Sequence, residues 1–495
     1  MKIYVNINDG GIKMRKFAKL TAIVLVMVML MAICSGCVQE EVMATIYFGI
    51  PYAEDSAEYA VFQDAVNDMN SFGESDYVRV ELRVIPEDEE GKKAFIKDVK
   101  SDKIAFMMYE RDELITPLIE DGTLATFATM QEKYPSLLER RDQYVIDTAT
   151  DVNGVNHMLP LRGTYQGVFF NEKIFVENEL QIPKTWEQFK ATVETLKAKG
   201  ITPIAAGFSD IGLQYMLDEL ILMEGGVAEH SYVPKYGVVN SWSRALAVLK
   251  EMKETGFFNE DCMTATHEQA LKKFADGEAA MVIGHSKEVA TEDADLENLG
   301  VFSLPVTETG KKNIGDIICD YDTGMYINSQ FLKKKPAIID YMFKLYIEYL
   351  DSSEEDYGYK WNYGEAFSAS WAMPGNKYAI SEGEVLYDDE GNLVDDEGFL
   401  INSDGDRIDE NGNLLPVDLT IPSKIKAEDT LQERVFDLMD NVTNAGRTLS
   451  KEYITFADFT DQVRNYLTKG GDIEQILEAA TKKEVEARGL TETQE

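Results

Sequence analysis

The chain has 495 residues, of which 44% are hydrophobic, and its formal net charge at neutral pH is −40. A surface this acidic is repelled by nucleic acids and by anionic lipid headgroups, so the charge argues against nucleic-acid partners and against electrostatic adhesion to a membrane. The apolar content is ample for packed cores, and the length suggests two or three compact units of roughly 150 residues each.

The first residues have the pattern of a secretory signal. Four basic residues between positions 13 and 19 precede an apolar run over 20–33, which is too short for a comfortable membrane span. The run ends in Cys34-Ser-Gly-Cys37, which resembles a bacterial lipobox with Cys37 as the lipid-modified residue. Residues 1–36 are then a lipoprotein signal peptide and 37–44 a lipidated tether. Removal of the signal peptide takes the formal net charge of the chain to about −44. An ordinary signal peptide and an uncleaved anchor remain alternatives.

No motif in the chain predicts a cofactor, a metal site or an enzyme. The sequence has no GxSxG elbow, phosphate loop or HExxH motif, and the histidines at 157, 230, 267 and 285 have no spacing typical of a zinc site. Cys262 and Cys319 could form a disulfide only if the fold brings their Cα atoms within roughly 7 Å. The residues alone leave that pairing open.

From Thr45 the folded body alternates strands with helices. Strands are predicted over 45–50, 77–85 and 104–108, and helices over 55–69, 91–99 and 113–144. This order favours a parallel sheet covered by helices, with ligand loops at the carboxyl ends of the strands.

The stretch from Asp151 to Gly207 has the clearest local signals. A turn at Asn153-Gly154 precedes an apolar segment, Val155 to Phe170, which predicts a strand pair. Thr185-Trp-Glu-Gln then predicts a capping-box helix start, Gly200 its end, and 201–206 another buried strand.

These segments resemble the extracellular solute-binding proteins of ABC importers, specifically those that bind oligosaccharides. The family's words appear in order as NGVNHMLP, GVFFNEKIF, IPKTWEQFKATVETLKAKG, ITPIAAG, HEQALKKFADGEAAMVIG, GVFSLP and GGDIEQIL. The resemblance implies an α/β periplasmic-binding-protein-like fold of type II, in which a hinge joins two lobes. Lobe 1 is expected at 45–150, returning at about 285–330, and lobe 2 at 151–284, continuing at about 331–490.

The same resemblance implies the function of a monomeric, lipid-anchored receptor on the extracellular face of the cell membrane. It would capture a sugar or oligosaccharide in the inter-lobe cleft and deliver it by hinge closure to the membrane subunits of an ABC permease. The candidate ligand contacts lie at strand ends or in aromatic clusters: Tyr52, Tyr109, Glu110, Arg111, Arg162, Tyr165, Trp242, His285, Tyr321 and Trp361. His285-Ser286 stands where relatives often present a tryptophan to the sugar. Arg111 and Arg162 leave open a ligand with a carboxylate, such as a uronic acid.

Residues 388–415 form four seven-residue units with glycines at 391, 398, 405 and 412. Each unit reads as a turn plus a minimal strand, which predicts a small β-rich insertion within lobe 2. An EF-hand is excluded because Arg407 stands where the turn glycine is needed, although a looser calcium site stays open. Two other functions remain alternatives: an exported glycan-active enzyme, and an adhesion or scaffold protein that binds through this insertion.

Overall fold

The computed structural model of the protein describes residues 44–71, 78–110, 113–135, 137, 143–150, 154–230, 240–290, 298–310, 313–334, 343, 386–387, 393–394, 434–435, 438 and 442–489. The signal peptide, Cys37, Arg111, Trp361 and all of the seven-residue units except Leu393–Val394 lie outside these ranges. Within them, none of the helices combines the length and the apolar composition needed to cross a bilayer.

The first lobe begins as a parallel sheet with helices between its strands. Its elements are β1 (Ala44–Ile50), α1 (Ala57–Ser71), β2 (Val78–Val84), α2 (Glu89–Lys100), β3 (Ile104–Glu110), α3 (Thr116–Glu120), α4 (Phe127–Lys133) and α5 (Gln143–Thr148). Strand β1 lies between β2 and β3 and is parallel to both, as predicted. The single helix predicted over 113–144 is wrong: Gly122 adopts a left-handed conformation (φ 71°) and Thr126 caps a new helix, so the segment divides into short helices.

The second lobe also alternates helices and strands. Its elements are α6 (Glu172–Glu177), α7 (Trp186–Ala198), β5 (Thr202–Ala205), α8 (Gly212–His230), α9 (Asn240–Glu254), α10 (His267–Ala275), β6 (Ala279–His285), α11 (Ser286–Val289) and β7 (Leu299–Phe302). The predicted capping box at the start of α7 is confirmed, because Thr185 and Gln188 each accept from the other's backbone N–H. Gly200 follows α7 at φ 73°, the left-handed geometry predicted for its end.

Two long antiparallel strands, β4 (Leu159–Asn171) and β8 (Asp316–Ile327), pass from one lobe to the other. The first half of β4 pairs with β8, and the last residues of β8 pair with β3. The second half of β4 pairs with β6 and β7. The resulting strand order β2-β1-β3-β8-β4-β6-β5 makes this pair the hinge between the lobes.

The predicted course of the chain differs at these strands. Val155–Phe170 was expected to form a strand pair, but it contains one continuous strand, because Gly163 lies against β8 and not in a turn. The return to lobe 1 was expected from about residue 285, yet β7 pairs within the second lobe and the chain reaches β3 only along β8.

After β8 the chain forms α12 (Ser329–Lys334) and, near the C-terminus, returns to the second lobe. The other elements in the described residues are β9 (Leu386–Tyr387), β10 (Leu393–Val394), β11 (Asn444–Gly446), α13 (Leu449–Glu452), α14 (Phe456–Lys469) and α15 (Ile473–Ala487). Strand β11 pairs in parallel with the start of β8. Buried carboxylates hold the following turn, since Asp320 accepts from the backbone N–H of Thr448 at 3.1 Å and Asp218 from that of Leu449 at 2.8 Å.

The hinge strands belong to an apolar cluster that extends into both lobes, with Phe95 of α2 on one side and Phe274 of α10 on the other. Tyr165 and Cys319 are fully buried there and Tyr321 is 1% exposed. Burial on this scale disfavours water at the hinge and keeps the two strands together.

A small polar cavity lies behind the hinge in the second lobe, with room for about one water molecule. Gln166 of β4, Glu219 of α8, and Asn313 and Asp316 at the start of β8 line it. Burial, and then the charge of the adjacent Asp218, raises the pKa of Glu219 to about 8. Glu219 is therefore protonated in the folded protein at neutral pH.

Replacement of Gly163 tests the close approach of the hinge strands. A Cβ at this position would lie 2.7 Å from the carbonyl oxygen of Asp320, so Gly163→Ala should lower the free energy of unfolding by about 1–3 kcal/mol. Gly446→Ala is the matched control, because its added Cβ would meet its nearest atoms at an ordinary 3.6 Å. Urea denaturation measures the unfolding free energy of both variants. Equal losses of unfolding free energy would contradict the close approach of β4 to β8 at Gly163.

Glu219→Gln tests the buried acid. Because the folded-state pKa of about 8 exceeds the ordinary value of 4.5, the wild type loses stability as pH rises between those values. Glutamine has the same shape and does not ionise, so the variant should match the wild type near pH 4.5 and exceed its unfolding free energy at pH 8 by on the order of 2–4 kcal/mol. Urea denaturation at both pH values measures this. The same difference at both pH values would argue against a buried neutral acid.

A matched buried glutamate provides the control. Glu224 is 3% exposed but is paired with Arg244 at 2.6 Å, so Glu224→Gln should lower the unfolding free energy at pH 8.

Candidate functional site

The two lobes meet where the carboxyl end of β3 faces the end of β6. Glu110, the last residue of β3, accepts from the ammonium group of Lys287 in α11 with an N–O distance of 2.7 Å. Both side chains are partly exposed, at 45% and 35%. This ion pair therefore marks a solvent-accessible junction between the first and second lobes.

The first-lobe wall of this junction is formed by strand ends. Because β1 and β3 are parallel neighbours, the residues that follow them lie at the same edge of the sheet. Tyr52 follows β1 and stacks on Phe62 with ring centroids 5.7 Å apart. Tyr109 precedes Glu110 in β3, opposite Gly324 of β8, and is partly buried. The structure thus brings Tyr52, Tyr109 and Glu110 to one edge of the sheet, with Tyr109 and Glu110 inside β3 and not in a loop after it.

The second-lobe wall is built around His285 and Tyr215. The two rings stack with centroids 6.0 Å apart and an interplanar angle of 26°. His285 Nε2 lies 2.9 Å from Thr164 Oγ1 on the hinge strand β4, which fixes the imidazole. Both residues are partly buried, so each keeps some surface that is exposed to solvent.

Glu288 anchors this wall from behind. The Tyr215 hydroxyl donates to Glu288 Oε1 at 3.1 Å, and His267 Nε2 lies 3.1 Å from Glu288 Oε2. Glu288 belongs to the same single-turn helix as Lys287, so these contacts also fix the position of Lys287.

Protonation states in the wall follow from burial and from these partners. Burial lowers the pKa of His285, so the imidazole is neutral at pH 7. Burial, and then Glu288, raises the pKa of Tyr215, which keeps its phenol protonated. Burial is the largest influence on Glu288 and would raise its pKa, but His267, Tyr215 and His285 together outweigh it and lower that pKa. The wall therefore presents neutral rings next to a compensated ion pair.

Four other candidate contacts lie along the hinge or in a core. Arg162 is in β4, where its backbone pairs with Thr323. Tyr165 and Tyr321 are buried among the hinge strands. Trp242 is fully buried in the second-lobe core, and its indole N–H donates to the backbone oxygen of Glu229 at 3.0 Å. The packing of Trp242 favours a structural role.

Three residues at this site, Tyr215, Lys287 and Glu288, were not predicted from the sequence. Lys287 and Glu288 immediately follow His285, so their position beside a predicted ligand loop was a usable signal. Tyr215 lies in the first turns of an apolar helix, where nothing local distinguishes it from a core residue.

The described part of the chain contains no group of three or more His, Cys, Asp or Glu side chains placed to hold a metal ion. Cys262 and Cys319 are both buried and both free thiols, so they do not form a disulfide with each other. The chemistry that the described wall offers is hydrogen bonding, ring stacking and one inter-lobe ion pair.

Solved structures of solute-binding proteins share this architecture. A probable secreted solute-binding lipoprotein from Streptomyces coelicolor has a TM-score of 0.59 and 14% identity, over 88% of this chain and 98% of that one. The apo form of RafE from Streptococcus pneumoniae has a TM-score of 0.58 and 14% identity, over 89% of this chain and 98% of that one. The predicted α/β periplasmic-binding-protein fold is thereby confirmed, with a mixed sheet in each lobe.

Sequence comparison gives the family. The chain is 27% identical over 205 residues to the multiple sugar-binding protein of Streptococcus mutans. The aligned region covers 39% of this chain and 48% of that protein. The match thus spans about half the length of this curated relative. A model of the family described as bacterial extracellular solute-binding protein matches residues 53–330, more than half of the chain. The chain therefore belongs to the bacterial extracellular solute-binding proteins, a family of non-catalytic receptors.

Proposed function

We propose that this protein is the extracellular receptor of an ABC importer and that it captures a neutral sugar or oligosaccharide between its lobes. The observation that carries the proposal is the stacked pair of Tyr215 and His285 beside the inter-lobe contact of Glu110 with Lys287. Aromatic faces suit the C–H faces of pyranose rings, while the surrounding polar side chains suit hydroxyl groups.

The stacked pair offers a substitute for the tryptophan that is absent at His285-Ser286. Relatives often present a tryptophan at this loop, and here the ring of His285 is extended by that of Tyr215 from α8. Two smaller rings thus provide an aromatic surface for the ligand.

The electrostatics of the described wall favour an uncharged ligand. The charge of Lys287 is compensated by Glu110, and His285 is neutral at pH 7. An acidic sugar needs an uncompensated cation, for which Arg111 and Arg162 are the candidates from the sequence. Uronic acids are therefore the alternative ligand class to test against neutral sugars.

Relatives support carbohydrate as the ligand class. The Streptococcus mutans protein is named for binding multiple sugars, and RafE has a structure in complex with raffinose. In this protein, ligand contacts on both lobes would shift the open and closed populations toward the closed form, which the permease would then recognise.

A thermal-shift screen of residues 38–495 tests the ligand class. Neutral sugars and oligosaccharides should raise the melting temperature as their concentration exceeds the dissociation constant, whereas uronic acids and peptides should not. Tyr215→Ala should raise the dissociation constant about five- to thirty-fold, the effect of losing an anchoring tyrosine. Tyr215→Phe is the matched control, because it retains the ring and loses only the hydrogen bond to Glu288.

The outcomes separate the alternatives. If uronic acids bind and neutral sugars do not, the ligand is an acidic sugar and the proposed neutral ligand class is wrong. Turnover of an oligosaccharide would support a glycan-active enzyme, and no shift with any carbohydrate would overturn the proposed function.

We further propose that Cys37 carries a lipid that holds the receptor at the outer face of the cell membrane. The support is the sequence Cys34-Ser-Gly-Cys37 after an apolar run, together with the lipoprotein description of the Streptomyces coelicolor relative.

Replacement of the two N-terminal cysteines tests the anchor. In a Gram-positive host, Cys37→Ala should move most of the protein out of the membrane fraction, because the chain loses its site of lipid attachment. Cys34→Ala is the control and should stay with the membrane. Immunoblotting of membrane and medium fractions measures both, and retention of Cys37→Ala at the membrane would favour an uncleaved anchor.

A further inference from the structure

The ion pair between Glu110 and Lys287 joins residues whose backbones belong to different lobes. Glu110 ends β3, which is paired with β1 and β8 in the first lobe. Lys287 lies in α11, directly after β6 of the second lobe. Their 2.7 Å contact therefore spans the cleft that the hinge opens and closes.

Each end of the pair is fixed to its own lobe. The backbone of Glu110 pairs with Thr323 of β8. On the other side, Glu288 of α11 is held to the second lobe by Tyr215 and His267, and α11 directly follows β6. Because Glu110 moves with the first-lobe sheet and Lys287 with the second lobe, rotation of the lobes away from each other would lengthen the distance between the two charges.

We propose that Glu110 and Lys287 form a closure latch: an ion pair that exists only in the closed arrangement of the lobes and stabilises it. This inference rests on the proposed function, since it assigns part of the ligand affinity to a contact that the protein makes with itself. By linkage, a contact that favours the closed form raises the apparent affinity of any ligand that binds that form.

The partial exposure of both side chains determines how strong the latch is. Ion pairs of this exposure contribute modestly and are screened by salt, so loss of the pair should weaken ligand binding about two- to five-fold at low ionic strength. At 1 M salt the wild type and a latch variant should bind almost equally well. The ligand-free protein should also open as salt is added.

A charge-swap cycle separates a latch from direct ligand contact. Glu110→Lys and Lys287→Glu should each weaken binding of the best sugar from the screen, and the double variant E110K/K287E should restore most of the affinity. If each side chain acts by hydrogen-bonding the sugar, the double variant would be at least as weak as the single variants. That result would overturn the latch.

Lys197 and Glu194 provide a matched control pair. They are 2.7 Å apart on the surface of α7, within a single lobe. Lys197→Gln should leave both the dissociation constant and its salt dependence unchanged.

Small-angle scattering of the ligand-free protein tests the latch without a ligand. Lys287→Gln should increase the radius of gyration at low salt relative to the wild type, and E110K/K287E should reverse the increase. Equal radii for all variants would overturn the latch even if sugars bind. The expected radii without sugar binding would instead support the latch and count only against the proposed function.

Discussion

The antiparallel pairing of β4 with β8 is the constraint on which both lobes depend. Each strand contributes one part to the first lobe and another to the second, and the bonds between them cross the boundary. Gly163 permits the close approach, and the buried aromatic residues around it exclude water. A hinge of this type can bend, but it keeps the strand ends of the two lobes facing each other.

The geometry of the cleft follows from that arrangement. Thr164 lies on the hinge strand β4 and contacts His285, which in turn stacks on Tyr215. The two stacked rings are therefore positioned by a residue of the hinge strand. Glu288 then couples these rings to Lys287 and, across the cleft, to Glu110. Under the proposed function and latch, ligand recognition and lobe closure therefore use neighbouring side chains.

The sequence predicted those parts of the fold that depend on local signals. The capping box at Thr185 and the end of α7 at Gly200 need only neighbouring residues, and both were predicted. Asp320 reads locally as a turn residue, yet it lies within β8, because Thr448 and Lys451 satisfy its carboxylate from far along the chain. The partners of Tyr215, which are His285 and Glu288, are likewise distant in sequence, so the position of Tyr215 at the site could not be read from its neighbours.

The late position of β8 also affects how the protein folds. Residues 104–108 of β3 are fully buried, but their partner strand lies about 200 residues further along the chain. The apolar edge of β3 remains without this partner until residues 316–327 are available to pair with it. An unpaired edge of this composition is prone to association with other strands. The first lobe therefore keeps an open, apolar sheet edge until the strand that completes its sheet has paired with β3.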